Sequence, residues 1–118
     1  MKNGITKKAL QNYLTKGGAT LTASGAVAHF SRGYQVAGIA PVAVVPVADI
    51  NAVFESVKNC LNGCKAGELV GLWVDGGAVY VEKSEHVAKL SDAMKKGFER
   101  GEKSIYDWML DRCITTNE

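Results

Sequence analysis

The sequence predicts a single α+β domain spanning residues 1–118, with about three helices on a small antiparallel sheet built from an N-terminal meander, a C-terminal hairpin and a further strand. Three observations carry this expectation. The segment GLWVDGGAVYVE, residues 71–82, alternates around a Gly76-Gly77 turn, as a tight two-residue hairpin requires. Three other stretches repeat apolar residues at helical spacing and stop at glycines. No repeat, low-complexity tract or linker divides the chain, and 118 residues are enough for one core but not for two of ordinary size.

Ile5 to about Lys16 places Ile5, Ala9, Leu10, Tyr13 and Leu14 on one helical face, with Gly17-Gly18 as its stop. Ala19 to Val36 reads as the meander, with turn signals at Ser24-Gly25 and Ser31-Arg32-Gly33. His29 falls in one of its strands. Val42 to Val45, bounded by Pro41 and Pro46, suits a short buried strand. Asp49 is an N-cap for a second helix carrying Ile50, Val53, Phe54, Val57 and Leu61, which Gly63 ends.

In the hairpin, only glycine takes positive φ cheaply, so the turn fixes the register. Asp75 falls opposite Ala78, Trp73 opposite Tyr80 and Gly71 opposite Glu82, while Leu72, Val74, Val79 and Val81 point to the other face, toward the core. His86 is expected in the loop that follows. Leu90, Ala93, Met94, Gly97 and Phe98 form a third helical stripe, closed by Gly101 and expected to cover the aliphatic face of the hairpin. SIYDW, residues 104–108, returns to the sheet as a strand, continued by Asp111 to Ile114.

Composition narrows the function classes. With 47% hydrophobic and 22% charged residues the chain belongs with ordinary globular proteins. No apolar run approaches the roughly 18 residues of a membrane span, and the first residues lack the apolar stretch of a secretory signal, so a cytoplasmic location is expected. The net charge of +2 predicts no long nucleic-acid partner, but it is unevenly spread: seven Lys or Arg against two acids up to Lys65, then seven against ten. Such asymmetry favours self-association into a homo-oligomer. Three cysteines in a chain without an export signal read as free packing thiols, and Cys60 and Cys64 lack the second ligand pair a zinc site needs. No metal or cofactor is expected.

No nucleophile elbow, zincin helix, Walker loop or dinucleotide fingerprint is present, and Asp75, Glu82 and Glu85 read as a solvated face, so no enzymatic activity is expected. The C-terminal half does hold the ingredients of a nucleotide site. Aromatic faces stack bases for about 1 to 3 kcal/mol each, and arginine forks hold phosphates bidentately. Trp73 and Tyr80 supply a platform, Lys83 and Ser84 lie at the strand end, and Arg100 ends the third helix. Arg32, Arg112 and Trp108 complete the inventory. Against this stands a purely structural role for Trp73 beneath the meander, and for Arg100 as a helix-end cation.

The residues GLWVDGGAVYVEKSEHV, the A-x-x-x-G helix and SIYDW, with GGATLTASGAVAHFSRGYQV before them, resemble the first-described family of phage-encoded Thoeris anti-defense sponges. The resemblance implies small α+β chains that assemble as dimers or higher multiples and have no catalytic activity. They bind, between subunits, cyclic ADP-ribose variants made by bacterial TIR-domain enzymes, and some members hold cyclic oligonucleotides. It also implies Trp73 as the stacking aromatic, Lys83 or Ser84 as the polar strand-end residue and Arg100 as the phosphate-holding arginine. Lys83 departs from the uncharged, amide-like residue expected at that place. The rival expectations are an inhibitor acting by protein contact on a host defence enzyme, and a virion or assembly component.

Overall fold

The computed structural model describes residues 4–39 and 43–116, so the expected Pro41 boundary and Val42 lie outside the described residues. The chain runs α1 (Lys7–Thr15), β1 (Gly18–Thr22), β2 (Tyr34–Ala37), β3 (Ala43–Pro46), α2 (Ile50–Asn62), β4 (Glu68–Asp75), β5 (Ala78–Val87), α3 (Leu90–Glu99), β6 (Ser104–Asp107) and β7 (Arg112–Thr115). The strands form one antiparallel sheet in the order β1-β4-β5-β2-β6-β7, and β3 joins β5 on the same edge as β2. This is the expected α+β class with three helices.

The hairpin register is the one the turn dictates, with Asp75 opposite Ala78, Trp73 opposite Tyr80 and Gly71 opposite Glu82. Val70, Leu72, Val79 and Val81 are buried under α1 and α2, together with Leu10, Leu21, Val53, Val57 and Leu61. Each of these aliphatics contributes about 1.5 to 3 kcal/mol when fully buried. α1 starts at Thr6, whose side chain accepts from the Ala9 N–H at 3.1 Å, and α2 at Asp49, which accepts from Ala52 N–H at 3.1 Å.

α3 does not cover the hairpin's aliphatic face. It packs with Ala93 and Met94 on a second, smaller cluster of Val36, Val87 and Ile105, because the first two helices already occupy the surface over β4 and the start of β5. Of its stripe, Leu90 and Phe98 remain exposed. Its end is a Schellman motif: Glu102 N–H donates to Gly97 O at 2.9 Å and Gly101 N–H to Phe98 O at 3.1 Å, with Gly101 at φ 72°.

The N-terminal strands sit on opposite sides of the hairpin, β1 against β4 and β2 against β5. The Ser24-Gly25 turn folds the chain back on β1 only through the Leu21–Val27 bridge. His29 is then outside any strand, and His86, expected in a loop, is in β5. Residues 104–115 are two strands, not one: Asp107 accepts from the N–H groups of Met109 and Leu110, which turns the chain back into β7.

Gly18 opens β1 at φ 144°, where an added Cβ would stand 2.1 Å from the Leu72 carbonyl oxygen. Gly18→Ala is therefore expected to destabilise the fold by about 2 kcal/mol or more, read as a lower urea midpoint at unchanged slope. Gly76→Ala, whose Cβ meets nothing within 4 Å, should cost only the strain of its φ of 59°, about 1 to 2 kcal/mol.

Candidate ligand-binding cleft

The second face of the hairpin is not roofed by the N-terminal strands. β1 joins β4 edge to edge, in the plane of the sheet, which leaves Trp73 39% exposed. The helices lie on the other face, so this one forms the floor of an open cleft of about 810 Å³. Trp73 and the turn from Lys16 to Ala19 line one side; Glu102, Tyr106, Asp111 and Cys113 line the other. Tyr80 does not line the cleft. It stacks on Trp73 with ring centres 5.3 Å apart and planes 5° from parallel, and so braces the indole from outside.

The floor is polar. Gln35 Nε2 donates to Ser84 Oγ at 2.7 Å, and Thr20 Oγ1 donates to Gln35 Oε1 at 3.4 Å. One side chain thus reaches from β2 over β5 and β4 to β1, which requires a concave sheet and a clear path. Gly71 supplies the path: its missing side chain would begin 3.8 Å from Gln35 Nε2. Beyond the floor, Phe30 stacks on His86 at 3.9 Å, and Trp108 meets both Phe30 and Tyr106 edge-on. The cleft therefore lies between two aromatic groups.

Its electrostatics are acidic. Glu82, 6% exposed, has no hydrogen-bond or ion-pair partner among the described residues; burial first, and then the charge of Glu102, push its carboxyl up to about 7. The Tyr106 hydroxyl donates to the Asp111 carboxylate, which together with burial lifts the phenol to about 12. Lys16 is the cation among the lining residues.

The sequence-predicted residues divide between the two faces. Trp73 and Ser84 line the cleft, with Tyr80 behind the indole. Lys83 points to the helix face, where its Nζ donates to Gly63 O at 2.6 Å and lies 3.7 Å from Glu68. Arg100 is also there, paired with Glu85 and donating to the carbonyls of Val36 and Ala37 at 3.5 and 3.3 Å; Lys96 holds the same carboxylate at 3.0 Å. Burial of Glu85 acts upward, but these hydrogen bonds and charges outweigh it and hold the carboxyl below its ordinary value. Arg32 is exposed in the turn before β2, with its carbonyl 2.8 Å from His86 Nε2, and Arg112 is exposed on β7. The expected convergence of Lys83 and Arg100 on Trp73 is therefore not made. An odd spacing separates Tyr80 from Lys83 across the pleat, and α3 delivers Arg100 to the covered side.

Gln35, Thr20, Tyr106 and Lys16 are cleft residues that the sequence did not place there; Glu82 falls on the Trp73 face as the register required, but it is buried rather than part of a solvated acidic face, and Glu85 lies across the pleat, paired with Lys96 and Arg100. The even step from Tyr80 to Glu82 and Ser84 was the signal for those two; Thr20, Gln35 and Tyr106 arrive from strands whose partners are distant in sequence, and Lys16 from the end of α1. Cys60 and Cys64 stay partly buried and pack with the main core, burial and their mutual proximity raising Cys60 to about 11. Among the described residues no group of three or more His, Cys, Asp or Glu is disposed to hold a metal ion, and no helix is long and apolar enough to cross a membrane.

Because the folded pKa of Glu82 lies above its ordinary value of 4.5, its contribution to stability is complete below about pH 4.5 and is lost as pH rises through about 7. Glu82→Gln is expected to match the native chain near pH 4.5 and to exceed it by about 2 to 3 kcal/mol at pH 8. Urea denaturation of both chains at the two pH values checks this, since the acid-side contribution of Glu85 cancels in the difference.

No family model matches this chain, and neither a curated protein nor a solved structure matches it.

Proposed function

We propose that this chain is a non-catalytic binding protein that captures a small ring-bearing ligand of the cyclic nucleotide class on the open face of its sheet. The observation that carries this reading is the half-exposed Trp73, braced by Tyr80 at the wall of a cleft with a hydrogen-bonding floor. A base stacked on the indole has its polar edge over Gln35, Ser84 and Glu82, and Lys16 stands at the rim for a phosphate. The acids inside favour rings inward and phosphates outward, where cations of a second copy complete their neutralisation. The resemblance to anti-defense sponges supplies the biological setting: a phage protein that sequesters a bacterial immune signal in the host cytoplasm.

Isothermal titration with cyclic ADP-ribose isomers and cyclic trinucleotides tests the reading; absence of heat with all of them at micromolar protein would overturn it. Trp73→Ala should weaken binding by about 1 to 3 kcal/mol. Arg100→Ala is the contrasting variant, because its side chain is committed to Glu85. It should leave affinity within about twofold while lowering stability by about 1 to 2 kcal/mol at neutral pH. That stability difference should shrink in acid as Glu85 protonates below its ordinary pKa, leaving the share that the Val36 and Ala37 carbonyls contribute.

A second reading, inhibition by protein contact, is favoured by Phe98, Met109 and Leu110, which are 65%, 66% and 51% exposed. Recovery of a host enzyme on immobilised protein, abolished by Phe98→Ala but not by Trp73→Ala, is its expected outcome.

A further inference from the structure

The cleft floor holds one acid that the fold itself does not use. Gln35, Ser84 and Thr20 are hydrogen-bonded to one another, whereas Glu82 is 6% exposed and has no polar partner among the described residues. A carboxyl that is 6% exposed, opens on the cleft and meets no protein donor costs the fold desolvation with no bond in return. Its position relates directly to the stacking wall. Glu82 pairs with Gly71 and Trp73 with Tyr80, one pair further along the same face, and such diagonal neighbours are about 7 to 8 Å apart. Gly71 adds no side chain of its own there, and the Gln35 amide passes over it, 3.8 Å from where a Cβ would stand, so a ring stacked on the indole turns its edge toward that amide and the carboxyl together.

We propose that Glu82 reads the hydrogen-bonding edge of a purine stacked on Trp73, and that its protonation state selects the purine: the carboxylate takes guanine, the neutral acid takes adenine. This rests on the ligand-binding reading of the cleft. An ionised carboxyl offers two acceptors and no donor, which matches the adjacent N1–H and N2–H donors of guanine. A protonated carboxyl offers one donor and one acceptor, which matches N1 and the N6 amino group of adenine. No proton is consumed beyond the one that Glu82 exchanges with solvent.

The surroundings place this exchange in an accessible range. Glu102 and Asp111 face the cleft as negative charges, Lys16 as a positive one, and the Tyr106 phenol is held by Asp111. Cys113 of β7 lines the far wall as a thiol, and His86, further along the same face of β5, is stacked on Phe30 and lies 2.8 Å from the Arg32 carbonyl; Thr20, Gln35 and Gly71 of the adjoining strands do not titrate. Burial and Glu102 raise Glu82 to about 7, so both forms are populated near neutrality. Lys83 and Glu85, one and three residues further along β5, lie across the pleat and are paired with other groups.

Titration of isotope-labelled protein with guanosine and with adenosine, followed at the Trp73 indole N–H resonance, tests the proposal. The native chain should prefer guanosine about tenfold near pH 8.5 and adenosine by a similar factor near pH 5.5. Glu82→Gln, whose amide is fixed as one donor and one acceptor, should prefer adenosine at both pH values. A native preference that does not change with pH, or a Glu82→Gln protein that still reverses its preference, would overturn the selection by Glu82 while leaving the cleft as a binding site. An indole resonance unmoved by either nucleoside at both pH values would overturn the binding reading itself, and this proposal with it.

Discussion

Between β4 and β5, the pairing that begins at Asp75–Ala78 and ends at Glu68–Glu85 decides what every other element meets. β5 is the central strand: β4 lies along one edge, and β2 and β3 share the other. A slip of β5 by one residue would turn Val79 and Val81 to solvent and drive Tyr80 and Glu82 into the helices. Two fully buried valines at about 1.5 to 3 kcal/mol each already make that arrangement uncompetitive, before any cost of burying a carboxyl is counted. The tight Gly76-Gly77 turn is what admits the correct pairing alone.

From this register follows a separation of chemistry by face. The covered face has its charges neutralised: Lys83 with Glu68, and Arg100 and Lys96 with Glu85, where the guanidinium also draws β2 to the end of α3 through two carbonyls. On the open face the cleft acids Glu82, Glu102 and Asp111 have no ion-pair partner among the described residues, Asp111 being held by the Tyr106 hydroxyl, and Thr20, Gln35 and Ser84 are bonded to one another along the floor. Stability resides mainly in the first, and the proposed ligand site lies on the second. The same ten-residue strand supplies both, through residues that alternate one by one.

Much of this was legible in the sequence where local chemistry decides. The glycine turn, the Asp49 cap, the apolar spacing of α1 and α2 and the two faces of the hairpin all depend on residues within a few positions of one another. Reach across the sheet was not legible. Nothing in Gly18–Thr22 states that its partner is β4, and nothing in Gln35 states that it extends to Thr20. Arg100 has the appearance of a helix-end cation open to a ligand until Glu85 is placed beside it by the packing of α3. Lys83 is different: parity with Tyr80 put it on the other face, and the pleat rule that exposed Trp73 applies equally to it.

Gly71 distinguishes two kinds of constraint that usually overlap. A methyl group there would make only ordinary contacts, 3.8 Å from Gln35 Nε2 and 3.9 Å from the Glu82 carbonyl, so the backbone tolerates alanine. Larger side chains would meet the Gln35 amide and intrude on the path it takes from Ser84 to Thr20. If the proposed site is used, position 71 is held to glycine by what must pass over it and not by its own backbone, so the range of residues tolerated there by function is narrower than the range tolerated by the strand pairing.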